Sequence, residues 1–188
     1  MKNINVFGLP RSGTNFLEYM LRYYVECELP EINGNSKYIK RDNVAIKHCE
    51  PNNELSDIQI LIIKSWVNFL PSYIKWDKKS DIFIKQAYIL AMDDYLKFYL
   101  NNQENCVIIF YEDLLNNEEE FLNYLSETFQ INFIKKFKVP KKRMDRNSGK
   151  STNTQDFNIS GVILDKKNTL NLINVDEILK YSWKSKNI

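Results

Sequence analysis

The chain is poor in the residues that build metal centres and disulfide frameworks, with 3 Cys and 1 His among 188 residues. Cys27, Cys49 and Cys106 are too few and too widely spaced for a disulfide scaffold, and no CxxC pair occurs. With His48 the single histidine, a Cys/His zinc site is not expected. Five Gly and five Pro exclude collagen-like and linker-like compositions. No apolar run reaches the ~18 residues of a membrane span. After Lys2 and Asn3 the run before Gly8 is only Ile4, Asn5, Val6 and Phe7, too short for a signal peptide. These absences predict a soluble chain in a reducing compartment, the cytoplasm.

What is present fits a packed core. Hydrophobic residues make up 44% and charged residues 27%, and the length suits one domain over residues 1–188. The net charge of +2, from 26 basic and 24 acidic residues, excludes whole-protein steering toward nucleic acid. Its distribution is uneven. Residues 135–150 hold eight Lys or Arg against Asp145 alone, a local +7 that leaves the remainder at −5. One basic patch on a mildly acidic remainder points to a local anionic ligand.

The apolar pattern alternates between strand and helix. "NINVFG" reads as a short buried strand ending at Gly8, and the segment after it has apolar residues at 16, 17, 20, 21 and 24, helical spacing. "NVAIKH" is a second strand. "DIQILIIK" is a third, apolar on both faces as a central parallel strand is. "WVNFLPSYIKW" is helical with a kink or a helix start at Pro71, and residues 82–100 form a long amphipathic helix. "NCVIIFYED" is a fourth strand and "NEEEFLNYLSETF" a helix with acids in its first turn. Residues 140–161 read as a flexible basic surface loop, and a helical pattern returns at 175–183. Strands alternating with helices predict an α/β fold, three layers deep, with a central, mostly parallel sheet.

The strongest local signal is "FGLPRSGTNFL", Phe7 to Leu17, a strand leading through a glycine-bearing loop directly into a helix. Such a loop turns backbone N–H groups toward an anion, which the positive end of the helix also favours. Arg11 adds a planar cation able to hold two oxygens at once. Gly8-x4-Gly13 matches the first half of the P-loop pattern GxxxxGK[ST], but Thr14 and Asn15 stand where that pattern has its lysine and its magnesium-binding hydroxyl. "PRSGTNFL" resembles the 5′-phosphosulfate-binding loop of sulfotransferases that use 3′-phosphoadenosine-5′-phosphosulfate (PAPS). That family's loop reads approximately P-[KR]-S-G-T-[TN]-[WFL]-L, and the form with Arg is common in carbohydrate-modifying members. The resemblance implies a P-loop NTPase-like fold and donor contacts from Arg11, Ser12, Gly13, Thr14, Asn15 and Phe16.

Two further motifs follow in the family's order. Its 3′-phosphate motif runs roughly RNPxDxxxSxY; here Lys64 ends a strand and Ser72 follows eight residues on, while Ser65, Trp66 and Asn68 depart from the pattern. Lysine keeps the charge without the bidentate geometry of arginine. "FYEDLLNN" resembles the family's YEDL segment, which puts Tyr111 in the place of its adenine-contacting tyrosine. From the residues alone Tyr111, Glu112 and Asp113 are only a polar strand end.

Some members take the acceptor proton with a histidine in a Lys-x-His-x-Pro setting. This chain has Lys47-His48-Cys49-Glu50-Pro51, the histidine one position early. His48 is the first candidate base, Glu50 the rival and Glu18 a weaker one. Arg146 and Lys150 supply cations where the family's C-terminal segment closes over the 3′-phosphate.

The resemblance implies sulfuryl transfer from PAPS as co-substrate to an acceptor hydroxyl or amine, a carbohydrate among the candidates, with no metal. Neither a nucleic-acid partner nor a membrane span is expected. A P-loop kinase is the rival enzyme, and a non-catalytic nucleotide- or anion-binding module the rival outside enzymes.

Overall fold

The computed structural model describes residues 2–25, 27–28, 47–48, 51, 57–75, 81–133, 142–144, 151–153, 178 and 180–184, and structural statements concern these residues. The fold is α/β. Three strands form the body of a parallel sheet: β1 (Lys2–Phe7), β4 (Ile58–Ile63) and β5 (Cys106–Phe110). Ile4–Phe7 lie level with Ile58–Leu61, and Gln59–Ile63 with Cys106–Phe110. Two short strands, β2 (Cys27–Glu28) and β3 (Lys47–His48), line the other edge of β1, one near each of its ends.

Every residue of β4 and β5 is buried. This is the burial that a run such as Ile58–Ile63, apolar except for Gln59, demands, because a strand apolar on both faces needs a layer on each. Ile4, Val6, Ile58, Ile60, Ile62, Val107 and Ile109 face one core. That core is closed by α1 (Thr14–Tyr24), α4 (Tyr111–Asn116) and α5 (Glu118–Phe129). Phe7, Leu61, Ile63, Ile108 and Phe110 face the other, closed by α2 (Trp66–Ile74) and α3 (Asp81–Asn101). On α3 the buried residues Ile84, Tyr88, Met92, Tyr95, Leu96 and Tyr99 recur at helical spacing. Among the described residues no helix is long and apolar enough to cross a membrane.

Helices on opposite faces follow from the strand order. After β1 the chain moves to the β2/β3 edge, and after β4 it moves the other way, to β5. Right-handed crossovers travelling in opposite directions cover opposite faces of a sheet. The reversal also makes the crevice between β1 and β4 a topological switch point, where open α/β sheets hold ligands beyond the carboxyl ends of their strands.

Several expectations need correction. The segment from Trp66 is helical as expected, α2 spanning Trp66–Ile74, but of the two alternatives at Pro71 a helix start is not realised: Pro71 sits exposed inside the helix. Tyr111, Glu112 and Asp113 form the first turn of α4 rather than a strand end. Within 140–161, expected as a loop, β6 (Lys142–Met144) pairs antiparallel with β7 (Ser151–Asn153). Near the C-terminus, Ile178 and Lys180 are helical as expected, but Ser182 then bridges Ile108 in parallel and extends the sheet past β5.

Trp183 follows that bridge fully buried, edge-on to Phe121 with ring centroids 5.2 Å apart and 5.6 Å from Tyr124. The C-terminal segment is thus part of the core. Trp183→Ala should cost about 3–5 kcal/mol of stability, the range for deleting a buried aromatic. Urea unfolding followed by circular dichroism measures it; a loss below about 1 kcal/mol would mean the segment is not docked in solution.

Candidate functional site

The loop after β1 begins at a glycine because nothing larger fits. A Cβ on Gly8 would lie 2.4 Å from Ser12 Oγ and 2.8 Å from the Ile62 side chain. The chain then turns tightly, Ser12 N–H donating to the Leu9 carbonyl at 3.0 Å across Pro10 and Arg11. Arg11 has φ 75°, so the turn has the type II pattern: proline first, then a left-handed residue where glycine is usual. An arginine in that conformation costs roughly 1–2 kcal/mol over the ordinary regions. Strain of this kind is retained where surrounding structure fixes it, commonly at ligand sites.

Gly13 is the second fixed point. Its φ is 102°, and a Cβ there would fall 2.2 Å from the Tyr111 ring. As N-cap of α1 it supplies the carbonyl that accepts from Phe16 N–H at 2.9 Å and Leu17 N–H at 3.1 Å. The close approach seats the loop on Tyr111, whose ring also meets Phe16 edge-on at 6.1 Å. Ser12 and Thr14 are buried, and Ser12 Oγ has no hydrogen-bond partner among the described residues. A buried hydroxyl without a partner is costly unless something completes it.

Residues far apart in sequence meet at this loop. Arg11 Nε donates to Ser72 Oγ at 3.4 Å, linking the loop to α2. Lys64, at the end of β4, lies with Nζ 4.9 Å from the centre of the Tyr111 ring. Burial pushes the Lys64 ammonium below the usual lysine range; Glu112 opposes that and Arg11 adds to it. The folded chain therefore holds this proton less tightly than the unfolded chain, so on this account stability rises with pH from the lowered pKa up to the ordinary lysine value. Anion binding has the opposite sign, since an anion favours the charged form. Arg11, Ser12, Gly13, Thr14, Phe16, Lys64, Ser72 and Tyr111 thus gather at the carboxyl ends of β1, β4 and β5.

The other expected site residues are placed in part or not at all. The backbone of His48 pairs with Phe7, one residue before Gly8, which sets β3 beside the start of the loop. The side chains of His48, Asn15 and Glu18 lie outside the described residues, as do Glu50, Arg146 and Lys150 altogether.

A second set of polar residues went unrecognised in the sequence. Glu112 Oε1 accepts from Ser65 N–H at 3.0 Å, Ser65 Oγ at 2.7 Å and Asn68 Nδ2 at 2.8 Å. Tyr88 Oη donates to the Lys64 carbonyl at 2.8 Å, and burial raises its pKa so that it remains a donor. The one available signal was a carboxylate directly after a buried strand, which has to find partners.

Protein-family models, curated proteins and solved structures were compared with the chain, and none matches.

The strain at Arg11 gives a test that separates stability from binding. Arg11→Gly removes the left-handed penalty and the side-chain cation together. Thermal stability should stay level or rise by up to about 1 kcal/mol, the glycine entropy cost offsetting part of the relief. Affinity for pyrophosphate, read by calorimetry, should fall. A destabilised variant that binds as tightly as the parent would assign Arg11 to the fold alone.

Proposed function

We propose that the chain is a sulfotransferase of the P-loop NTPase-like, three-layer α/β/α class, using PAPS as donor toward a hydroxyl or amine acceptor. The observation that carries this reading is the convergence of Arg11, Lys64, Ser72 and Tyr111 from three strand ends. In the sequence these residues belong to separate motifs, each resembling one part of the family's nucleotide site. The fit is also electrostatic. Two cations held near each other, only partly balanced by Glu112, favour an anion of more than one charge.

The donor supplies an activated sulfuryl group; its sulfur–oxygen bond to the 5′-phosphate breaks as one to the acceptor oxygen or nitrogen forms, leaving adenosine 3′,5′-bisphosphate. Toward it the loop offers backbone N–H groups, the Ser12 hydroxyl and the Arg11 guanidinium, donors fixed in advance by the turn and by Tyr111. Lys64 and Ser72 would hold the 3′-phosphate, with Arg146 and Lys150 as further cations. Only 8% of Tyr111 is exposed, so a nucleobase would meet the small part of it left open by the loop. The acceptor proton goes to His48 or to Glu50. A carbohydrate acceptor rests on the loop's Arg11 form alone.

Thermal shift with adenosine 3′,5′-bisphosphate against ATP–magnesium tests the donor class. Stabilisation by the bisphosphate at 100-fold excess over its Kd should reach about 2.7 kcal/mol. Stabilisation by ATP–magnesium alone would favour a kinase, and bisphosphate binding without sulfonate turnover on any acceptor would favour a binding module.

The base is tested by two substitutions. His48→Ala should lower turnover roughly 10²–10⁴-fold while leaving bisphosphate affinity intact, and the parent's kcat/KM should fall as pH drops through about 6–7. If His48→Ala keeps turnover within about threefold while folded Glu50→Ala is inactive, Glu50 is the base.

A further inference from the structure

Glu112 acts on more of the site than its neighbour Tyr111 does. It is fully buried at the second position of α4, and its Oε1 holds both the Ser65 peptide N–H and hydroxyl and the Asn68 amide. Asn68 Nδ2 in turn donates to Ser65 Oγ at 2.8 Å, closing a three-residue ring of hydrogen bonds. Ser65 is the N-cap of α2, yet its hydroxyl caps nothing, being committed to this ring. The anchored turn belongs to the helix that carries Ser72, and the residue before Ser65 is Lys64. Tyr88 from α3 secures the Lys64 carbonyl on the opposite side of the same peptide unit. Among the described residues the groups facing Lys64 are Glu112 and the Tyr111 ring from α4, Arg11 from the loop and the Tyr88 hydroxyl from α3. Of these only Glu112 is an attractive ion; Arg11 repels.

We infer that Glu112 is a positioning residue for the nucleotide's second phosphate, fixing the Lys64–Ser65 junction and the first turn of α2 so that Lys64, kept charged, and Ser72 stay beside Arg11. The inference rests on the sulfotransferase reading, which supplies the second phosphate. Glu112 touches no ligand in this account. Its effect is selective, because the loop that receives the 5′-phosphate is seated on Tyr111 and Gly13 and needs no contact with the ring of hydrogen bonds.

The test is calorimetric titration of the full chain with adenosine 3′,5′-bisphosphate and with adenosine 5′-monophosphate across about pH 7–10, the lower reach of lysine titration. Glu112→Gln keeps the volume but removes the charge. It should weaken the bisphosphate at least ~10-fold, the scale of a lost hydrogen bond to a charged group. The monophosphate should change less than about threefold, as for a substitution outside its contacts. Bisphosphate affinity should also decline at lower pH than in the parent, because Lys64 loses the attraction of the Glu112 carboxylate. Ser65→Ala removes one donor and leaves the carboxylate. It carries the test if Glu112→Gln does not fold, with the same preferential loss expected. Equal weakening of both nucleotides in a folded variant, or affinities and a pH profile like the parent's, would overturn the inference. A parent that binds neither nucleotide would instead overturn the sulfotransferase reading, and this inference with it.

Discussion

The parallel register of β1 on β4 is the constraint from which the site follows. With Phe7 level with Leu61, the chain leaves β1 at Gly8 while β4 continues through Ile62 and Ile63 to Lys64. The loop therefore curls over the last turn-ward residues of its neighbour: Ile62 packs where a Gly8 side chain would be, and Lys64 emerges beside Tyr111 and Arg11. A slip of one residue would exchange the two faces of β4, moving Ile60 and Ile62 out of one core and Leu61 and Ile63 out of the other. A slip of two would preserve the faces but carry Lys64 about 6.6 Å along the strand, beyond reach of the loop. The buried runs on both faces thus fix the core and, by the same register, the distance between cations.

Electrostatics then decides what the gathered residues can do. Arg11 and Lys64 repel, and burial disfavours the Lys64 charge further. The fold tolerates this through Glu112, whose own burial is balanced by three donors from Ser65 and Asn68. Hydrogen bonds to a charged group contribute roughly 1.5–3 kcal/mol each, enough to offset a desolvation of several kcal/mol. This also accounts for Asn68: a carboxylate at this position would face Glu112 and lose the donor that joins it to Ser65.

Much of this was legible in sequence, for identifiable reasons. Ile58–Ile63 is apolar except for Gln59, and Cys106–Phe110 throughout, and Phe16, Leu17, Met20, Leu21 and Tyr24 recur at helical spacing, so both strand and helix declared themselves through burial. The strand–loop–helix turn after β1 was legible because Gly8 and Gly13 stand where a side chain would meet close neighbours, Gly13 also with a positive φ. Lys64 and Ser72 were reached only through resemblance; nothing in their local pattern distinguishes them from a strand-end cation and a helix serine. The ring around Glu112 was not legible, because its partners lie 47 and 44 residues away and depend on the β4–β5 register. Pro71 by itself left a kink or a helix start open; α2 instead runs through it from Trp66, its first turn held by Glu112 of α4 through the Ser65 N–H.

The same features that build the site work against stability. Arg11 occupies a left-handed turn position better suited to glycine, Ser12 buries a hydroxyl without a partner among the described residues, and Lys64 is charged against its surroundings. Each is unfavourable in the free protein; under the proposed function an anion would ease the repulsion between the cations and complete the hydroxyl, while the turn at Arg11 stays as the fold sets it. A loop under no such tension would bind by rearranging, with entropy lost at the moment of binding; here the ordering is already complete in the fold. The turn across Leu9–Ser12, the seat of Gly13 on Tyr111 and the anchored start of α2 hold the donors in place before any ligand arrives. That is the condition for electrostatic preorganisation, in which donors contribute most to a transfer step because they need not move during it.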